Sequence, residues 1–435
     1  MIFPPAFSCL MLKKVRGKKV SCKDFEQYLQ NFTLEENLSL IAGEDKKTKI
    51  EDAVIDGDLV KYFINEFWTS GQRKASALHE ISYRACFKPQ LPRFFIEELT
   101  REGDLVYDPF MGRGTTLIEA AILNRRVAGN DINPLSRVLA EPRLNIPGYQ
   151  EIAQRVAAIP LDERAAAEMD LSMFYHPRTE GEIVSLRCYL DERRRSGEED
   201  DVDRWIRMVA TNRLTGHSPG FFSVYTLPPN QAVSPERQLK INAKRNQQPE
   251  YRNVKSLILK KTRALLKDIT EEKRKVINKR GKEALFFSRD ARFAGEIPAE
   301  SVQLTVTSPP FLDVVQYSSD NWLRCWFNGI DEHIIEKQIT ITRNIGQWES
   351  VMQGVFEELY RVTAVGGWVA FEVGEVKGGR IKLEEHVVPL GKRAGFCCLG
   401  VIINKQLFTK TSNIWGIGNN TAGTNTNRIV LFHKK

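Results

Sequence analysis

Asp104-Leu105-Val106-Tyr107 runs directly into Asp108-Pro109-Phe110-Met111-Gly112-Arg113-Gly114-Thr115-Thr116, and the order of residue types here decides the fold class. A short apolar strand passes into a glycine-containing turn, and a helix is predicted over Thr115 to Leu123. A second strand follows from Arg126 to Asn130 and ends at Asp131. Strand, turn, helix and strand in that order indicate a parallel α/β sheet. Upstream, Leu91 to Thr100 reads as a helix, with Pro92 in the first turn, where proline is tolerated.

Downstream the alternation stops and later resumes. Residues 145–283 read as a mainly helical, charged insertion. It holds an acidic run (Glu198 to Asp201), a Pro/Asn-rich piece (Leu227 to Asn230) and a basic stretch from Lys255 to Arg280. Strands return at Leu285 to Phe287 and at Val302 to Val306. An amphipathic helix from Glu349 to Arg361 is expected to stop at Gly366-Gly367. Strands at Trp368 to Val373, Phe396 to Ile403 and Arg428 to His433 complete the set, with a helix near Leu383 to Arg393. The expectation is a seven-stranded, mostly parallel sheet. It divides into an N-terminal lobe (1–70), two sheet-forming parts (71–144 and 284–435) and the insertion (145–283).

The turn has chemical meaning. Gly112 and Gly114 let the backbone bend sharply and approach a ligand closely. The helix start presents free N–H groups and a positive dipole end. Those features suit the carboxylate of an amino-acid-like cofactor, and equally a phosphate. Asp131, at the end of the next strand, is placed to bind ribose hydroxyls; alternatively it caps the helix near Pro134. The full G-x-G-x-x-G pattern and a P-loop lysine are both missing.

A second segment, Thr307-Ser308-Pro309-Pro310-Phe311, closes a later strand. Consecutive prolines hold the chain extended and remove backbone donors. Ser308 Oγ and the Pro309 carbonyl are then available as acceptors, and Phe311 offers a face for a flat ring. Such a set suits alkylation of an exocyclic amine. That nitrogen is a poor nucleophile because its lone pair delocalises into the ring, and acceptors on its hydrogens stabilise the positive charge that develops. A bare Pro-Pro turn is the structural alternative; position in the same sheet as the glycine turn weighs against it.

Together these residues resemble the amino-methyltransferases of bacterial restriction–modification systems, which combine a D-P-F-x-G-x-G-T-T loop with an (S/D/N)-P-P-(Y/F) motif. The resemblance spans roughly residues 79–143 and 284–435. It implies a Rossmann-like class I methyltransferase fold and the cofactor S-adenosyl-L-methionine. Asp108, Phe110, Gly112, Gly114 and Thr115 would hold its methionine part, Asp131 its ribose and Asp290 its adenine amine. Phe87 to Pro92, including Lys88 and Pro89, looks like the family's cofactor-wall motif. Ser308, Pro309, Pro310 and Phe311 match the catalytic tetrad. Serine in first place is typical of N4-cytosine enzymes; aspartate or asparagine is typical of N6-adenine enzymes. The motif order places target recognition in residues 145–283, where Thr215 to Phe222 and the Gln, Asn and Arg residues from Gln231 to Asn246 suit base edges. The partner implied is double-stranded DNA in a bacterial cytoplasm, with a companion restriction endonuclease that need not touch this chain.

Composition agrees. The net charge is +8, which favours a polyanionic partner. No stretch approaches the ~18 apolar residues of a membrane span, and Met1 to Leu12, with Pro4 and Pro5, does not read as a signal peptide. The seven cysteines show no C-x-x-C pair and the six histidines no metal spacing, so no metal site is expected. None of the cysteines follows a proline, which disfavours cytosine C5 chemistry by a thiolate. The rival readings are an RNA or protein amide methyltransferase and a non-catalytic DNA-binding module.

Overall fold

The structure is a computed structural model. It describes residues 20–34, 47–69, 75–83, 86–226, 232–310, 317–331, 334–335, 344–376, 381–405 and 426–435. Its strands are β1 (Lys49–Ile55), β2 (Asp58–Asn65), β3 (Leu105–Asp108), β4 (Arg126–Asn130), β5 (Leu285–Phe287), β6 (Val302–Thr307), β7 (Thr363–Val373), β8 (Glu375–Val376), β9 (Ile381–Lys382), β10 (Cys397–Lys405) and β11 (Thr426–His433). Nine of them form one sheet in the order β1-β2-β10-β11-β7-β6-β3-β4-β5; β8 and β9 pair separately.

The fold is α/β, and the expected strand number is corrected from seven to nine. All seven predicted strands are present as the run β10-β11-β7-β6-β3-β4-β5. The two added strands come from the N-terminal region, where β1 pairs antiparallel with β2, and β2 runs parallel to β10. Their signal was Asp56-Gly57, both at positive φ (52° and 81°), the dipeptide of a two-residue hairpin turn. It was obscured because β1 is an edge strand with mostly exposed residues, so its apolar alternation is weak. The sheet is mixed: β11 and β1 run against their neighbours, and the remaining pairs are parallel.

β3 lies between β6 and β4, third from the β5 edge of the sheet, with all four residues buried, because parallel strands covered on both faces read as continuous apolar runs. One face packs α1 (Cys22–Gln30), α2 (Gln90–Leu99), α3 (Thr115–Ile122) and the helices of residues 149–282 into a single core. The other face carries helices Ile345–Val362 and Leu383–Arg393. The first of these starts four residues before the expected Glu349 and stops at Val362, ahead of Gly366-Gly367. Thr363 Oγ1 donates to the Leu359 carbonyl (2.6 Å), and both glycines lie inside β7.

Candidate active site

The parallel strands end at one edge, where ligands bind in open α/β sheets. There a cavity enclosing about 1120 Å³, part of it open to solvent, is lined by the turn after β3, the end of β4, the residues after β5 and the segment after β6.

The turn owes its shape to its hydrogen bonds. Asp108, buried at the end of β3, accepts from the Phe110 amide (3.1 Å) and from Thr307 Oγ1 (2.7 Å). The second bond ties the glycine turn to the strand bearing the Ser-Pro-Pro segment. Burial pushes the Asp108 carboxyl up to about 7, against the pull of hydrogen bonds from Thr307, Phe110 and Thr116. Gly112 and Gly114 both have positive φ (49° and 77°). They differ in role: Gly112 lines the cavity, whereas a Cβ on Gly114 would stand 2.7 Å from Ala140 Cβ. Glycine at 114 therefore serves close packing at the start of α3.

Asp131 is held rather than free to wander. Its two oxygens accept from the Gly112 amide (2.9 Å) and the Asn133 amide (2.9 Å). Burial raises its carboxyl pKa despite these bonds. Each oxygen keeps a further lone pair for a hydroxyl donor. Asp290 forms an ion pair with Arg292 (2.6 Å). Burial works to raise its pKa, and the Arg292 hydrogen bonds and charge outweigh that and lower it. Nearby, Asn130 bridges β4 to the Asp290 turn through the Arg289 carbonyl (2.9 Å) and amide (3.2 Å).

Asp108, Phe110, Gly112, Thr115, Asp131, Asp290, Ser308 and Pro310 all line this one cavity. Gly114, Lys88, Pro89 and Pro309 do not. Lys88 is exposed and Pro89 is buried ahead of α2; from the predicted wall motif it is Phe87, with Tyr83 and Cys86 upstream, that reaches the cavity. Phe311 lies outside the described residues, as do Leu227 to Gln231 and most of the Asn-rich segment before Asn427.

Two residues at the site escaped sequence reasoning. Glu372, on β7 and 9% exposed, accepts hydrogen bonds from Asn427 Nδ2 (2.5 Å) and from Ser308. Burial pushes its carboxyl up to about 7 against those bonds. Trp348, which lines the cavity, donates Nε1–H to the Pro310 carbonyl (3.1 Å). It thereby engages the second proline's carbonyl. The signal for Glu372 was a lone acid inside an apolar strand.

The basic stretch in the insertion is largely engaged within the protein. Lys255 donates to the Ala157 carbonyl, Lys261 to the Glu80 carbonyl, and Lys273 to the Asp268 carbonyl. Arg274 and Arg280 pair with Glu271 and Glu283. Helix Pro235–Arg245 differs: Arg237, Lys240 and Lys244 are all exposed on it. It is anchored beside helix Tyr317–Asn328, just after the Ser-Pro-Pro segment, because Ala232 donates to the Asp320 carbonyl (2.9 Å) and Trp322 Nε1 to the Val233 carbonyl (3.1 Å).

The DNA methylase family model matches residues 23–139. The chain resembles the DNA amino-methyltransferases of restriction–modification systems. The match takes in the N-terminal region, which the motif-based resemblance left out, and ends well before Ser308. The type II methyltransferase M.MjaII of Methanocaldococcus jannaschii is 33% identical over 99 residues, 22% of this chain and 18% of the relative. The type II methyltransferase M.BsoBI of Geobacillus stearothermophilus is 22% identical over 290 residues, 61% of this chain and 55% of the relative. The matched segments thus span from about a fifth to about half of these relatives' lengths. An rRNA methyltransferase of Streptomyces viridochromogenes overlaps 82% of this chain and 88% of its own at 11% identity, with a TM-score of 0.31, too loose a likeness to bear on function. Among the described residues, no cluster of His, Cys, Asp and Glu could hold a metal ion and no helix is long and apolar enough to cross a membrane.

Proposed function

We propose that this chain transfers a methyl group from S-adenosyl-L-methionine to the exocyclic N4 of cytosine in a specific DNA sequence, in the setting of a bacterial restriction–modification system. The observation that carries the reading is one cavity lined both by the glycine turn with its two carboxylates and by Ser308 and Pro310. The lining fits the cofactor. Asp131 offers acceptors to vicinal hydroxyls, Asp290 offers one to an adenine amine, and the side-chain-free Gly112 leaves room beside Tyr83 and Cys86.

When bound, the cofactor supplies an electrophilic methyl on a sulfonium. The protein's part is to make the amine nucleophilic. The Pro309 carbonyl and Ser308 Oγ each accept one amine hydrogen, which turns the nitrogen toward tetrahedral geometry. Glu372 accepts the Ser308 hydroxyl proton and so keeps a serine lone pair facing the substrate. As the N–C bond forms and the C–S bond breaks, the surplus proton leaves nitrogen through Ser308 to Glu372, whose raised pKa suits that role. Trp348 fixes the height of the segment through Pro310. The base must leave the duplex to reach this depth, and Arg237, Lys240 and Lys244 on helix Pro235–Arg245 are our candidates for phosphate contacts beside it.

Incubating the protein with duplex DNA and labelled cofactor, followed by nucleoside mass spectrometry, tests the reading. Label in N4-methylcytosine is expected. Label solely in N6-methyladenine overturns the base assignment, and transfer to RNA or protein but not to DNA overturns the substrate class.

A further inference from the structure

The turn carrying Asp290 is pinned between two elements. On one side Asn130, at the end of β4, donates to the Arg289 carbonyl (2.9 Å) and accepts from the Arg289 amide (3.2 Å). On the other, helix Ile345–Val362 straps the chain just beyond it. Glu358 accepts from the Ala294 amide (2.6 Å), and Arg361 donates to the Ala294 and Ile297 carbonyls (2.9 and 3.1 Å). The same helix supplies Val351, Met352 and Val355 to the cavity wall. The backbone of Asp290 is thus fixed in that wall, and what remains to be set is the direction of its carboxylate.

Arg292 sets that direction without itself lining the cavity. Its Nε donates to both Asp290 oxygens (3.0 and 3.1 Å), its Nη2 to Oδ2 (2.6 Å) and its amide to Oδ1 (2.9 Å). A planar fork grips both oxygens at once, which the point charge of a lysine cannot do. The stem is constrained as well. It lies against Gly354 of helix Ile345–Val362, where a Cβ would stand 3.0 Å from Arg292 Cδ and 3.2 Å from Cγ. The two side chains are 40% and 31% exposed, and ion pairs this open add little to stability. The contact matters for geometry instead. Oδ1 is filled by the amide and Nε, so Oδ2, which takes Nη2 and shares Nε, holds the capacity left for a further donor.

We propose that Arg292 is a positioning residue for the cofactor's base: by clamping Asp290 it makes Oδ2 a directed acceptor for the adenine amino group and sets the site against a purine with an oxo group in that place. This rests on the reading of the cavity as an S-adenosyl-L-methionine site with Asp290 at its adenine end. An amino group donates to the clamped oxygen. An oxo group sets a second acceptor against it, and neither is satisfied. A carboxylate free to rotate turns away from the oxo group, so the clamp governs discrimination more than affinity.

Calorimetric titration of the full chain with S-adenosylhomocysteine and with its deaminated counterpart, S-inosylhomocysteine, reads this discrimination directly. Wild type is expected to favour the amino form about 10- to 100-fold, the range of one hydrogen bond to a charged group. Arg292→Met keeps a stem against Gly354 and removes the fork; the preference should drop about 10-fold in a protein that still unfolds cooperatively. Arg292→Lys, which keeps one charged donor, should recover part of it. In an Asp290→Ala background Arg292→Met should change the preference no further, because the clamp then has nothing to hold. A wild-type preference in Arg292→Met overturns the proposal. So does an equal loss for both ligands, or a drop in preference that persists in the Asp290→Ala background, since a merely structural role would produce either. If wild type binds both ligands equally, Asp290 does not meet the amino group and the proposal falls with that assignment. If it binds neither, the cavity reading itself fails.

Discussion

Replacing Glu372 with glutamine should make the protein more stable and less active at once. The side chain is 9% exposed, so solvent screens it little. Its carboxyl rises from an ordinary 4.5 to about 7, which at ~1.36 kcal/mol per pH unit is about 3 kcal/mol. The sign follows from linkage. Below the unfolded value of 4.5 the group is protonated in both states and costs nothing. As pH rises towards the folded value the unfolded state ionises more readily, and wild type loses stability across that window. Above about 7 the loss is complete. Glutamine removes the titration and can keep the Asn427 bond, so at about pH 8 the variant should gain roughly 2–3 kcal/mol after about 0.5–1 kcal/mol for weaker hydrogen bonding. Near pH 4.5 the two proteins should match. Activity moves the other way. An amide donates to Ser308 Oγ instead of accepting from it, and it cannot take a proton. Loss of a positioned acceptor and proton sink costs about 10²-fold or more in kcat. Wild-type kcat should rise with pH through about 7, and the variant should lose that rise. Asp108 titrates in the same range but acts through the glycine turn, so kcat must be read at saturating cofactor. Denaturant titrations at several pH values and single-turnover methylation assays are the measurements. A variant that is less stable at about pH 8, or one with unchanged kcat, would refute the reasoning.

Four further expectations follow from the same geometry. Asp131→Ala removes the acceptor for the Gly112 and Asn133 amides as well as for ligand hydroxyls, so S-adenosylhomocysteine affinity measured by calorimetry should fall about 10- to 100-fold, with Asp131→Asn intermediate. Gly114→Ala forces a Cβ to 2.7 Å from Ala140 at φ +77° and should cost about 1–3 kcal/mol in chemical denaturation. Trp348→Phe drops the bond to the Pro310 carbonyl, and a roughly 3- to 10-fold loss of turnover is expected. Removing Arg237, Lys240 and Lys244 together should reduce the salt slope of duplex binding by up to about 0.9 per lost phosphate contact, whereas Lys261→Ala should leave the slope unchanged.

The two chemical motifs were legible because each breaks a local rule. Glycines at a strand-to-helix junction and adjacent prolines at a strand end are costly unless the backbone needs them, so they advertised Gly112 and Ser308–Pro310. The helix expected near Leu383 to Arg393 is present as Leu383–Arg393. The N-terminal hairpin was missed for the opposite reason: an exposed edge strand buries little and leaves a faint pattern. Glu372 and Trp348 could not be placed from spacing, since strand pairing and helix packing across more than thirty residues bring them to the segment. The basic run from Lys255 to Arg280 carries less information than its charge suggests. Charge along the sequence does not say which lysines are already bonded, and Lys261, 10% exposed by side chain, holds the Glu80 carbonyl. Its own pKa falls to about 8 through burial and the nearby Arg213 charge.

Methyl transfer to a DNA base amine is assigned to Ser308-Pro309-Pro310. Single-molecule sequencing of genomic DNA from cells expressing either the intact chain or Ser308→Ala reads base and sequence context together. N4-methylcytosine at one short recurrent sequence is expected with the intact chain, and its loss with Ser308→Ala. Unmodified DNA in both, or equal modification in both, would contradict it.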